Sequence, residues 1–278
     1  MALAADVGTD GWGRRASRAF LNGSAALWFL AAAAGQLAFF YYIVLFYGPS
    51  TLSGNFAGWT RNHALLKGYV PGDLAGNLAF GAHALLAAYV SLGGVLQILP
   101  QIRARWPHFH RWNGRAFILT AMGLSLTGLY MVWVRGATVG SISSIAISGD
   151  GVLILAFAAL AWATARKRDF ASHRRWALRT WLVANGQWFF RVGIFGWILL
   201  NQGPVGLGDD LDGPVAIFLA FGCYLVPLVV LELYFRAQTA SPKARAAMGA
   251  GLSIAALFIA VGTFGAWMMI WQPVLARL

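Results

Sequence analysis

The chain has 278 residues, 59% hydrophobic and 11% charged, with 21 Lys and Arg against nine Asp and Glu for a formal net charge of +12. Ordinary soluble domains carry about 25% charged residues, so the composition excludes a soluble globular domain and points to a polytopic membrane protein. The basic excess does not indicate a nucleic-acid partner, because the cations sit in short stretches between apolar runs and no recognition motif accompanies them.

A membrane-spanning helix needs about 20 apolar residues, and about seven segments reach or approach that length. The N-terminal stretch, 1–23, reads as a cytoplasmic tail with Arg14, Arg15 and Arg18, leading into a retained first helix rather than a cleaved signal. That helix covers 25–47 and stops at Gly48-Pro49. An outer piece over 49–73 follows, carrying Trp59, Asn62 and His63. The second helix covers 74–99 and ends at Pro100; the third covers 116–134. The fourth covers 144–165, with Ser148, Gly149, Asp150 and Gly151 interrupting its outer end. The fifth covers 176–200. The sixth, 214–235, carries Pro214 in its first turn, where a missing N–H does no harm. The seventh covers 247–271.

Lys and Arg alternate with these segments. Arg14, Arg15 and Arg18 precede the first, while Arg103, Arg105, Arg111 and Arg115 join the second and third. Between the fourth and fifth lie Arg166, Lys167, Arg168, Arg174, Arg175 and Arg179; Arg236, Lys243 and Arg245 join the sixth and seventh. Arg61, Lys67, Arg135, Arg277 and the acidic Asp209, Asp210 and Asp212 fall on the other side. The positive-inside rule then gives an all-α bundle with the N-terminus inside and the C-terminus outside. The whole of 1–278 is one transmembrane domain, its bundle spanning 24–272, and its place is the bacterial cytoplasmic (inner) membrane. Its surroundings are the lipid bilayer and, in one reading, other subunits of a membrane complex.

Ionisable groups in hydrocarbon are costly and mark function by default. Counting inward at 1.5 Å per residue puts His83 roughly 13 Å deep, Arg191 roughly 14 Å and Asp150 roughly 9 Å. An Asp150–Arg191 pair is the cheapest way to hold both charges. His173 and Arg191 are five turns apart on one continuous helix, with Thr180 and Gln187 near the same line, and Gln97 shares a face with His83. At the cytoplasmic edge, His110 and His173 open two helices that run in the same direction. Neutral imidazoles so placed suit a haem iron, and Arg111, Arg115 and Arg174 are positioned for haem propionates or lipid phosphates. Glu232 balances an inner arginine, and Cys223 is a small buried hydrophobe. Hydrolase, phosphate-loop and zinc-protease motifs are absent, and no enzyme class is assigned.

The segment 81–191 resembles a bacterial family of predicted membrane proteins, the domain of unknown function numbered 2306. His83, Gln97, the HRWNGR run from His110 to Arg115, the basic run from Arg168 to Trp176, and Arg191 carry the likeness. The resemblance marks those positions as the family's core and implies no activity. A looser likeness joins His110, Arg111, Gly114 and Arg115 to the haem-ligating segment of haem A synthases, with Pro107 where those enzymes carry glutamate. The b561-type cytochromes are a related comparison, but they place paired histidines within several helices. Three readings follow: electron transfer with a b-type haem or a quinone, small-molecule or lipid transport, and an accessory role in a respiratory or photosynthetic complex.

Overall fold

A computed structural model describes residues 6–61, 68–137 and 140–278, and every regular element among them is helical. Helix α1 runs Asp6–Leu52, followed by a 3-10 turn at Phe56–Arg61 and α2 at Leu74–Ile98. A short α3, Pro100–Arg105, forms an elbow into α4, Pro107–Trp133, each opened by its proline. Then come α5 (Ser141–Arg166), α6 (Phe170–Ala184), α7 (Gly186–Asn201), α8 (Pro214–Ala237) and α9 (Pro242–Ala266). A π-helical turn at Trp267–Trp271 and α10, Gln272–Leu275, complete the chain. Among the described residues, six helices are long and apolar enough to cross a membrane: Gly13–Leu52, Leu74–Ile98, Pro107–Trp133, Ser141–Arg166, Pro214–Ala237 and Pro242–Leu275.

Several boundaries differ from the sequence expectation. The first helix does not stop at Gly48-Pro49 but passes through Pro49 to Leu52. The Thr51 hydroxyl donates to the Tyr47 carbonyl at 2.6 Å there, so a local side-chain bond supports the turn that proline weakens. At its other end the same helix extends into the expected tail, back to Asp6. Ser148 to Gly151 do not interrupt α5, because the Ser148 hydroxyl bonds back to the Ser144 carbonyl within the helix. Within the outer piece Trp59 is buried against Phe80. Asn62, His63 and Lys67 fall outside the described residues.

The largest correction concerns the expected fifth helix. It is two helices of 15 and 16 residues, broken at Asn185, whose backbone (φ −104°, ψ 10°) leaves the helical region. The Asn185 amide donates to the Trp181 carbonyl at 2.7 Å, closing the end of α6. Asn followed by Gly is a strong break signal. A single straight stripe from His173 to Arg191 therefore does not exist.

The chain passes back and forth between the two ends of the bundle, so that α1 and α9 lie parallel, with the Ser253 hydroxyl 3.1 Å from Ser24 Oγ. Leu21, Ala237 and Leu252 form one apolar cluster, which puts the start of α1 level with the end of α8 and the start of α9. Ile118, Ala158 and Ala161 do the same for the α4, α5 and α6 ends, with Trp176 against them. The Arg179 Nε donates to Glu232 at 2.8 Å, tying α6 to the end of α8. All the basic clusters except the few outer residues thus gather at one end of the bundle. At the opposite end Arg135 donates to Asp73 and Asn77, both at 2.9 Å, and to the Gly68 carbonyl at 2.8 Å, clamping the outer segment onto α2 and α4.

Candidate functional site

Two polar centres lie within the bundle. The first sits at the basic end, where α2 and α4 meet the start of α6. The Tyr89 hydroxyl donates to Asn113 Oδ1 at 2.9 Å, and the Asn113 amide donates to the Gly93 carbonyl and to Gln97 Oε1, both at 2.9 Å. With its oxygen engaged, Gln97 turns its amide nitrogen to His110 Nε2 at 3.3 Å. An amide nitrogen can only donate, so the network assigns the proton of His110 to Nδ1, which is buried with no partner. Two glycines make room for these groups. A β-carbon at Gly114 would press on the Gln97 amide at 2.7 Å, and one at Gly94 would meet Trp181 Nε1 at 2.8 Å.

His173 and Arg103 lie within electrostatic range of His110. The ring nitrogens of the two edge histidines are held differently. His173 Nδ1 bonds the Ala161 carbonyl at 2.9 Å. Arg111, Arg115 and Arg174 are exposed. Arg115 stacks over Trp112 at 4.8 Å, while Arg111 lines a cleft of about 600 Å³ on the outside of the elbow with Arg105, Trp106, His108 and Phe109.

The second centre lies deep in the bundle. His83 on α2 meets Thr127 on α4, with Nδ1 3.2 Å from the hydroxyl oxygen. That hydroxyl is committed to the Gly123 carbonyl at 2.9 Å, so His83 donates through Nδ1–H and keeps Nε2 as a bare acceptor. Arg191 on α7 lies within electrostatic range of His83. It folds back so that Nη1 donates to the Gln187 carbonyl at 2.7 Å, and its guanidinium lies 5.5 Å over the Phe39 ring of α1. Tyr42 and Tyr47 on α1 and Cys223 on α8 act on the same guanidinium. His83, Gln187 and Arg191 are only half-buried despite their depth.

The expected Asp150–Arg191 pair is not formed. Asp150 is 3% exposed, its carboxylate is turned to Gly186 at the start of α7, and its Oδ1 has no partner. The break at Asn185 explains this, since it turns Arg191 away from the line on which a continuous helix would have placed it. Gln36 was missed by sequence reasoning. It is fully buried on α1 with both amide atoms unpartnered, and one Gln in an apolar run gave no periodic signal. Among the described residues no three His, Cys, Asp or Glu gather as a metal site. Cys223 is buried as expected, its thiol against the Ala220 carbonyl.

The matched segment covers both centres. Residues 80–235 fit the family described as predicted membrane protein, DUF2306, which is more than half the chain. The chain belongs to that family. His83, Gln97, His110, Asn113, Asp150, His173 and Arg191 all lie within the match, whereas Gln36 and Phe39 come from α1, outside it. No curated protein and no solved structure matches the chain.

Proposed function

We propose that the protein binds a quinone in an electron-transfer role, at the deep centre between His83 and Arg191. The observation that carries this reading is the pairing of a bare imidazole acceptor with an arginine that has no acidic partner, beside the flat ring of Phe39. A quinone presents two carbonyl acceptors on an aromatic plane. Arg191 has the N–H groups to meet one carbonyl, and once the quinone is reduced its hydroxyl donates to His83 Nε2. Aromatic side chains supply the ring surface such a ligand packs on.

Haem, the other group suggested by the sequence, fits less well. His173 suits iron, because its Nδ1 is oriented by a carbonyl as in many ligating histidines. His110 does not fit, since its Nε2 is spent on Gln97 and its Nδ1 is enclosed. Ligation by both rings would sacrifice the Gln97 contact and disturb Asn113 behind it.

The topology we propose has seven crossings, N-terminus inside and C-terminus outside, in the bacterial cytoplasmic membrane. At 1.5 Å per residue α6 and α7 are each about 23 Å long, short of the roughly 30 Å hydrocarbon core, so together they make one interrupted crossing. The same interruption favours a second reading, a small-molecule or lipid transporter, since discontinuous helices line substrate sites in many carriers.

The test is a titration of the purified protein in phospholipid nanodiscs with a short-chain benzoquinone, followed by tryptophan quenching. Saturable binding is expected, weakened about tenfold or more by Arg191→Gln and by His83→Ala, as loss of a hydrogen bond worth about 1.5–3 kcal/mol implies. Unsaturable quenching in the native protein would remove the quinone reading and leave the transporter.

A further inference from the structure

Asp150 plays no part in the quinone centre, yet it is the most deeply enclosed acid among the described residues. It sits on α5, against the break between α6 and α7. Asn185 occupies the cap position of α7 but its side chain makes no bond to that helix; its amide donates to the Trp181 carbonyl of α6. The first N–H groups of a helix lack intrahelical partners and carry partial positive charge. The Asp150 carboxylate is turned to this end, so close that Gly186 has no room for a β-carbon. Its Oδ1 is buried and unpartnered.

The groups facing it offer no compensating cation. From α8, Cys223 and Tyr224 lie within electrostatic range, and the Tyr224 hydroxyl approaches the adjoining Gly149. From α4 comes the neutral Ser125, whose hydroxyl donates to the Gly151 carbonyl at 2.8 Å. The cation of α7 is Arg191, whose Nη1 donates to the Gln187 carbonyl at 2.7 Å and which makes no ion pair with Asp150. Enclosure without a cation stabilises the neutral carboxyl. The open end of α7 stabilises the carboxylate once it forms. Both protonation states therefore have a built environment.

We infer that Asp150 is a proton-binding site at the α6–α7 break, where the carboxyl takes up and releases a proton against the N-terminal amides of α7. The O–H bond that breaks leaves its electron pair on the carboxylate and the proton passes to water, and uptake is the reverse, with no change of oxidation state. The site stands independently of the quinone reading.

The experiment treats the full-length protein in phospholipid vesicles with N,N′-dicyclohexylcarbodiimide, an apolar reagent that modifies protonated carboxyls in hydrocarbon surroundings, and maps the adduct by mass spectrometry. Of the nine acidic residues, Asp150 is expected to carry the label, with less as the medium is made alkaline and no change on adding Na⁺ or K⁺. Asp150→Asn loses the label and Asp150→Glu restores it. Recovery of the Asp150 peptide unmodified from the native protein would overturn the inference, and so would protection by Na⁺ or K⁺, which would make this a metal-cation site. Because the readout is on native protein, a poorly folded variant does not decide the matter, and failure of quinone binding leaves it untouched.

Discussion

At the scale of single residues, Arg135 makes the clearest stability prediction. Its side chain is 5% exposed and bonded to Asp73, Asn77 and the Gly68 carbonyl. Replacing it with Ala leaves those acceptors without their donor and is expected to cost about 2–4 kcal/mol, in the range for breaking an enclosed charge pair. Thermal unfolding of the purified variant, read by intrinsic fluorescence, should show a clearly lowered midpoint. An unchanged midpoint would mean that the clamp contributes nothing. The sequence marked Arg135 only as an outer charge, because Asp73 lies 62 residues away and such pairings have no periodicity. The same holds for His83 and Thr127, 44 residues apart. By contrast, the Arg179–Glu232 pair was half legible, since an acid among inner arginines implies some partner. The quinone and haem candidates were legible as polar residues in apolar runs, but which nitrogen of each ring is free depends on neighbours that only folding supplies.

At the scale of elements, helix contacts follow from small residues. Gly262 and Gly265 on α9 face the Val192 and Phe195 carbonyls of α7, and a β-carbon at Gly262 would run into the Val192 carbonyl. Without a hydrophobic driving force in lipid, such close approach is how helices gain packing energy. Gly262→Val is expected to push α9 from α7 and lower stability by about 1–3 kcal/mol. Gly251→Val, at a position with open space around it, should be nearly silent in the same assay, and equal losses at both sites would contradict the contact. The proline that opens a helix was legible at Pro214, whereas α4 and α9 open at Pro107 and Pro242, ahead of the expected starts at 116 and 247, because the basic residues that follow those prolines hide the helix from an apolar count. The break at Asn185 was missed for a physical reason. Its flanks are apolar enough to read as one crossing, and only the Asn-Gly pair signals the cap. That omission also produced the false Asp150–Arg191 pairing.

At the scale of the whole molecule, the long apolar runs made the all-helical membrane class readable, because a bilayer core needs about 20 apolar residues per crossing, while the alternation of Lys and Arg supports the proposed orientation. Six of the helices meet the length and hydropathy of a membrane span, and the proposed orientation puts both edge histidines inside. A C-terminal tag should then be removed by protease added to intact spheroplasts while an N-terminal tag survives; the reverse pattern would invert the account. Function was the least legible level. The proposed ligand site draws on α1, α2, α4 and α7 together, and the pairing order of helices is not written in hydropathy. The most direct test of the central claim is to purify the protein from its membrane, extract the bound lipid and quantify quinone per chain. The account predicts a near-stoichiometric quinone that falls sharply in Arg191→Gln and in His83→Ala with the fold intact. Native protein with no more quinone than the bulk lipid around it would contradict the account.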